Sequence, residues 1–73
     1  MTYFEKMKAI REDKDLKQSD VAQMLKIKQQ QYSEYERGLR MIPINYLIEF
    51  CKSLNVSADY ILGIPEGLDY PKR

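Results

Sequence analysis

Apolar residues recur along this chain at intervals of three and four, the repeat of helices that bury one side. Residues 3–14 place Phe4, Met7 and Ile10 on one stripe, with Arg11 beside them, and residues 18–25 bring Val21, Ala22 and Leu25 together. After the break Lys26-Ile27-Lys28, residues 29–37 carry Tyr32 and Tyr35. Pro43 is suited to open a fourth helix in which Leu47, Phe50, Cys51 and Leu54 share a face. Asn55-Val56 ends it, and Ser57 is a natural N-cap for a short fifth helix, Ala58 to Leu62, stopped by Gly63 and Pro65. The pattern predicts an all-α fold, a compact five-helix bundle spanning residues 3–63, followed by a tail, 64–73, that offers a dimer contact. Helices this short are marginal alone, so packing of their apolar stripes must hold them. The expected core is Leu16, Val21, Leu25, Ile27, Tyr32, Tyr35, Leu47, Phe50, Leu54, Val56, Ile61 and Leu62, with Cys51 filling a tight position as a small hydrophobe.

Composition narrows the chemistry. At 73 residues, 44% hydrophobic and 32% charged, the chain is an ordinary single folded domain. One cysteine allows no internal disulfide, and the lack of histidine removes Cys/His zinc sites, so neither metal nor cofactor is expected. No apolar run is long enough for a signal peptide or membrane span, and a cytoplasmic location is expected. With no histidine and no phosphate-binding glycine loop, catalysis is not expected either. Net charge is only +1, but residues 6–40 hold nine basic against six acidic residues. A basic first half suits an anionic partner on one side, or equally a mixed solvated surface.

The stretch QQQYSEYERG, 29–38, carries the most information. At ~100° per residue, Tyr32 and Tyr35 define one face of the third helix. Gln30, Ser33, Glu34 and Arg37 lie across the axis, with Gln29 and Gln31 flanking them in the first turn. Glutamine donates and accepts, which matches the edge of adenine in a major groove; glutamate accepts from the amino group of cytosine, and serine is adaptable. A helix fits that groove, and residues 18–25, a three-residue turn and the third helix form a helix-turn-helix. The competing reading is a polar surface helix facing solvent. Lys17 and Lys28 stand where capping hydroxyls normally start the second and third helices, a fault that a phosphate would turn to advantage, with Gln18 in reach of the same backbone. Otherwise both lysines point to water and the caps are missing. Glu36 borders the aromatic face, and Arg11, the cation on the Met7/Ile10 side, is its expected partner in a structural ion pair.

These features together resemble the Cro/repressor-like (XRE-type) helix-turn-helix family. The resemblance rests on Ile10-Arg11, LKQSDVAQMLKIKQQQYSEYERG (16–38), Pro43 and LIEFCKSLNVSADYILG (47–63), and covers residues 6–63. Its most specific parts are the Gln18, Ala22 and Leu25 spacing and the Tyr-Glu-Arg-Gly that ends the third helix. It implies a five-helix domain that binds double-stranded DNA as a homodimer on an inverted repeat. Gln29, Gln30, Ser33 and Glu34 would then face base edges. Lys17, Gln18, Lys28, Gln31, Arg37 and Arg40 would meet the DNA backbone, with Gln18 also bracing the reading helix. Arg11 and Glu36 would be the family's inter-helix pair, and Ala22 the small residue at the close approach. The chain departs from the pattern at Lys26 and Asp15, where glycine is usual, and at Lys17 and Lys28.

The functional expectation is a transcriptional regulator, most simply a repressor occupying an operator. One domain of this size covers too little DNA for selective affinity, so a dimer is expected through the fifth helix and tail, using Ile61, Ile64 and Leu68. The alternative is a protein-interaction or antitoxin-like module of the same fold, with Tyr3, Tyr46 and Tyr70 as its contact surface.

Overall fold

The computed structural model describes residues 1–65. Its elements are five helices, α1 (Tyr3–Asp13), α2 (Gln18–Leu25), α3 (Gln29–Glu36), α4 (Ile44–Leu54) and α5 (Ala58–Leu62), with no strand among the described residues. The all-α five-helix bundle read from the periodicity is therefore the fold. α2 packs on α3 and α4, α1 on α3 and α5, and α4 on α5. One core joins them: Met7 and Ile10 from α1, Val21, Ala22 and Leu25 from α2, Tyr32 and Tyr35 from α3, Leu47, Phe50 and Leu54 from α4, and Ile61 from α5.

The core differs from expectation in ways that follow from helix geometry. Met7 is fully buried and Ile10 and Ala22 nearly so, whereas Leu16, Ile27 and Val56 sit at the margins, half-buried, because all three lie in connections. Cys51 is half-buried rather than central, since Leu47, Phe50 and Leu54 take the inward face of α4 and leave it on the shoulder. Leu62 is exposed, because in the single turn of α5 the neighbouring Ile61 points inward. That same burial corrects a second expectation: Ile61 has no exposed surface to offer a partner, and is a core residue instead of a dimer contact.

The helix ends explain how so short a chain turns five times. Thr2 opens α1 with a complete capping box: its hydroxyl accepts from the Glu5 N–H, and the Glu5 carboxylate accepts from the Thr2 N–H at 2.8 Å. Each helix is followed by a residue in the left-handed region, where the chain reverses and the last carbonyls find donors. These are Asp15, Lys26, Gly38, Asn55 and Gly63, so three of the five positions are not glycine. Lys26 (φ 59°) and Asp15 (φ 56°) adopt the conformation that glycine usually supplies, at a cost of ~1 kcal/mol or more each. Gly38 is different, because φ is 74° and a Cβ there would stand 2.5 Å from the Phe4 ring. That close approach seats the end of α3 on the first turn of α1.

Candidate nucleic-acid interface

α2, the turn at Lys26 and α3 bring the singled-out residues together, and α3 divides them between two faces. On its inner face Glu36 is almost wholly buried, with its side chain 1% exposed. Arg11 Nε donates to Glu36 Oε2 and Arg11 Nη2 to Oε1, both at 2.9 Å, a two-pronged pair between α1 and α3. The third prong, Arg11 Nη1, donates to the Leu16 carbonyl at 2.7 Å, which fixes the α1–α2 connection. Gln18 Nε2 donates to Glu36 Oε1 at 3.1 Å, so α2 is tied to the same carboxylate. Burial pushes the Glu36 carboxyl up, but these donors outweigh it and hold the group below its ordinary value. Hydrogen bonding to Glu36 in turn raises the Arg11 guanidinium. The buried Tyr32 hydroxyl lies against this cluster without closing a hydrogen bond of its own, and its pKa is raised first by burial and then by the carboxylate.

Two further contacts set the pose of α3. Gln31 Nε2 donates to Tyr35 Oη at 2.9 Å, one turn along the helix. The Tyr35 ring packs against Tyr46 of α4, centroids 6.3 Å apart. Gln31, expected near a backbone ligand, is thus half-buried with one amide hydrogen already engaged.

The outer face is open by contrast. Gln29 and Gln30 are exposed, and Ser33 and Glu34 are partly so. Glu34 pairs loosely with Arg40 across 3.6 Å, an exposed contact worth no more than about 1 kcal/mol. Arg37 is exposed and lies back along its own helix, Nε donating to the Ser33 carbonyl at 3.4 Å. Lys28 precedes α3 with no side-chain cap. Lys17 precedes α2, also without a side-chain cap, since an ammonium has no lone pair to offer. There, however, Asp20 accepts from the Lys17 N–H at 2.8 Å, which supplies half of a capping box. Asp20 is a structural residue that the reading of the sequence passed over, although an acid three positions after the cap is its usual signal. Ile64 is partly exposed, at 42%, while Leu68 and Tyr70 lie outside the described residues. Tyr3 and Tyr46 are half-buried.

Among the described residues no group of acidic or cysteine side chains could hold a metal ion, and no helix is long and apolar enough to cross a membrane. No curated protein and no solved structure matched the chain in comparison. A family model described as helix-turn-helix does match, over residues 7–61, the span from the first core residue of α1 to the core isoleucine of α5. With a family pattern over three-quarters of its length and the two helices and turn in place, the chain belongs to the helix-turn-helix family of XRE/Cro type and has the architecture of its DNA-binding domain.

Proposed function

We propose that this protein is a sequence-specific DNA-binding regulator of transcription that lays α3 in the major groove. The observation that carries the reading is the division of α3. Its inner face is tied to α1, α2 and α4, while Gln29 and Gln30 on the outer face are exposed and their side chains form no hydrogen bond among the described residues. A reading helix needs both halves, a fixed pose and free polar side chains. In this reading Gln29, Gln30, Ser33 and Glu34 meet base edges. Lys17, Lys28, Arg37 and Arg40 meet phosphates, and Gln18, with one amide hydrogen on Glu36, gives its other to the same backbone. Gln31 contributes through Tyr35, its remaining amide hydrogen facing the backbone. The protein acts as a homodimer on an inverted repeat, represses by occupying that site, and catalyses nothing.

A selection from random DNA duplexes tests this. The expected product is an inverted repeat with half-site centres about 34 Å apart. Gln30→Ala should then lose preference at one base position of each half-site while non-specific binding persists. If no sequence enriches even at low salt, DNA reading is abandoned and a protein partner becomes the occupant of this face.

A further inference from the structure

Among the described residues, the Tyr32 hydroxyl is the one buried side-chain polar atom with no hydrogen-bond partner. The residue is fully enclosed in the core, where phenylalanine would fill nearly the same space without stranding a donor. Packing alone therefore does not explain a tyrosine here. The hydroxyl stands against the buried group that most needs donors. Glu36 accepts from Arg11 twice at 2.9 Å and from Gln18 at 3.1 Å, the longest of the three contacts. A carboxylate has about four acceptor positions, so Glu36 has room for a further donor. Burial pushes its carboxyl up, while Arg11, then Tyr32, then Gln18 hold it down, which sets the phenol close to the carboxylate although no bond closes.

The two side chains that do bond to Glu36 differ in what else they can reach. Arg11 is nearly enclosed and gives its remaining prong to the Leu16 carbonyl. Gln18 is half-buried at the start of α2, and is the residue that the DNA-binding reading also turns toward a phosphate. We infer that Tyr32 is a positioning residue for Gln18: when Gln18 turns its amide to a phosphate of the DNA backbone, the Tyr32 hydroxyl closes onto Glu36 in its place. A hydroxyl proton swings about its C–O bond, so the ring stays in the core while the donor is redirected. The buried carboxylate keeps its donors throughout, and Gln18 is drawn outward without leaving a buried acceptor short. The inference rests on the DNA-binding reading for the phosphate, but the exchange of donors is a property of the free chain.

Urea melts of the full chain without DNA test the exchange first. Tyr32→Phe in the parent should leave the unfolding constant within about two-fold, since the hydroxyl removed has no partner. In a Gln18→Ala chain, where the hydroxyl has taken the place of the amide, the same substitution should raise that constant about ten-fold. Binding to a DNA duplex at low salt supplies the second readout. Tyr32→Phe should weaken it by about three- to ten-fold, although the residue is out of reach of any ligand, and should change nothing in the Gln18→Ala chain. An equal effect on the melts in both backgrounds overturns the inference, because the hydroxyl then either has a partner already or never gains one. Unchanged DNA affinity of Tyr32→Phe overturns it too, with the DNA-binding reading intact. Failure of that reading would appear separately, as coupled melts in a chain that binds no duplex.

Discussion

The two faces of α3 are made from the same few residue types and behave in opposite ways. Glu36 and Glu34 are two positions apart, yet one is buried under donors from Arg11 and Gln18 and the other holds a single loose contact with Arg40. Gln31 is tied to Tyr35, while Gln30 beside it makes no side-chain hydrogen bond among the described residues. Residue identity does not assign a role here; angular position on the helix does. Side chains turned inward fix where the helix lies, and those turned outward are left for another molecule.

The largest effect is expected at Glu36. Glu36→Ala leaves Arg11 buried beside an empty site, and a urea melt should show a loss of about 3–5 kcal/mol. The loss should depend on pH in a defined sense. The folded carboxyl is held below its ordinary value of 4.5, so its contribution is complete above that pH and disappears as pH falls below it. Parent and variant melts should therefore converge in acid, and a difference undiminished at pH 2 would show that packing rather than charge is lost.

On the outer face the opposite is expected. Gln30→Ala should leave the urea melt within about 0.5 kcal/mol of the parent, since no described residue loses a hydrogen-bond partner. Its affinity for the selected DNA site should nevertheless fall by about 1–3 kcal/mol. A melt shifted as far as that of a core variant would erase the distinction between the faces.

The smallest effect is expected in the turn that joins α2 to α3. Lys26→Gly relieves a left-handed lysine and should stabilise the fold by about 0.5–1 kcal/mol, read as a higher urea midpoint at unchanged slope. An unchanged midpoint would mean that the lysine stem recovers the backbone cost by local packing.

Much of this architecture is legible in the sequence alone. The five helices follow from apolar spacing, the two faces of α3 from its wheel, and the Arg11–Glu36 partnership from one cation facing one acid at the edge of an aromatic face. The rest depends on information that a linear pattern does not hold. In α5 a single turn presents Ile61 and Leu62 side by side, and only the packed bundle decides which is inside. Met41, Ile44 and Ile48 read as ordinary hydrophobic residues, and their exposure emerges only once Leu47, Phe50 and Leu54 have filled the interior. The Gln31–Tyr35 contact was within reach, being one helical turn apart, but the choice of that partner over solvent is made by the packing of Tyr35 on Tyr46.

The buried hydroxyl of Tyr32 beside the Arg11–Glu36 cluster makes this region contribute to stability toward alkaline as well as acid conditions. Its phenol is held protonated above the ordinary value of 10.0, whereas an unfolded chain would release that proton freely. Stability supplied by the neutral phenol is complete below that value and drains away as the solution becomes more alkaline. A stability-versus-pH profile should thus fall at both extremes, with Tyr32→Phe lessening the alkaline fall, to which the burial-raised Cys51 thiol also contributes, and sparing the acid one. Two neighbouring side chains, one kept charged and one kept neutral, thus each favour the folded chain at opposite ends of the pH scale.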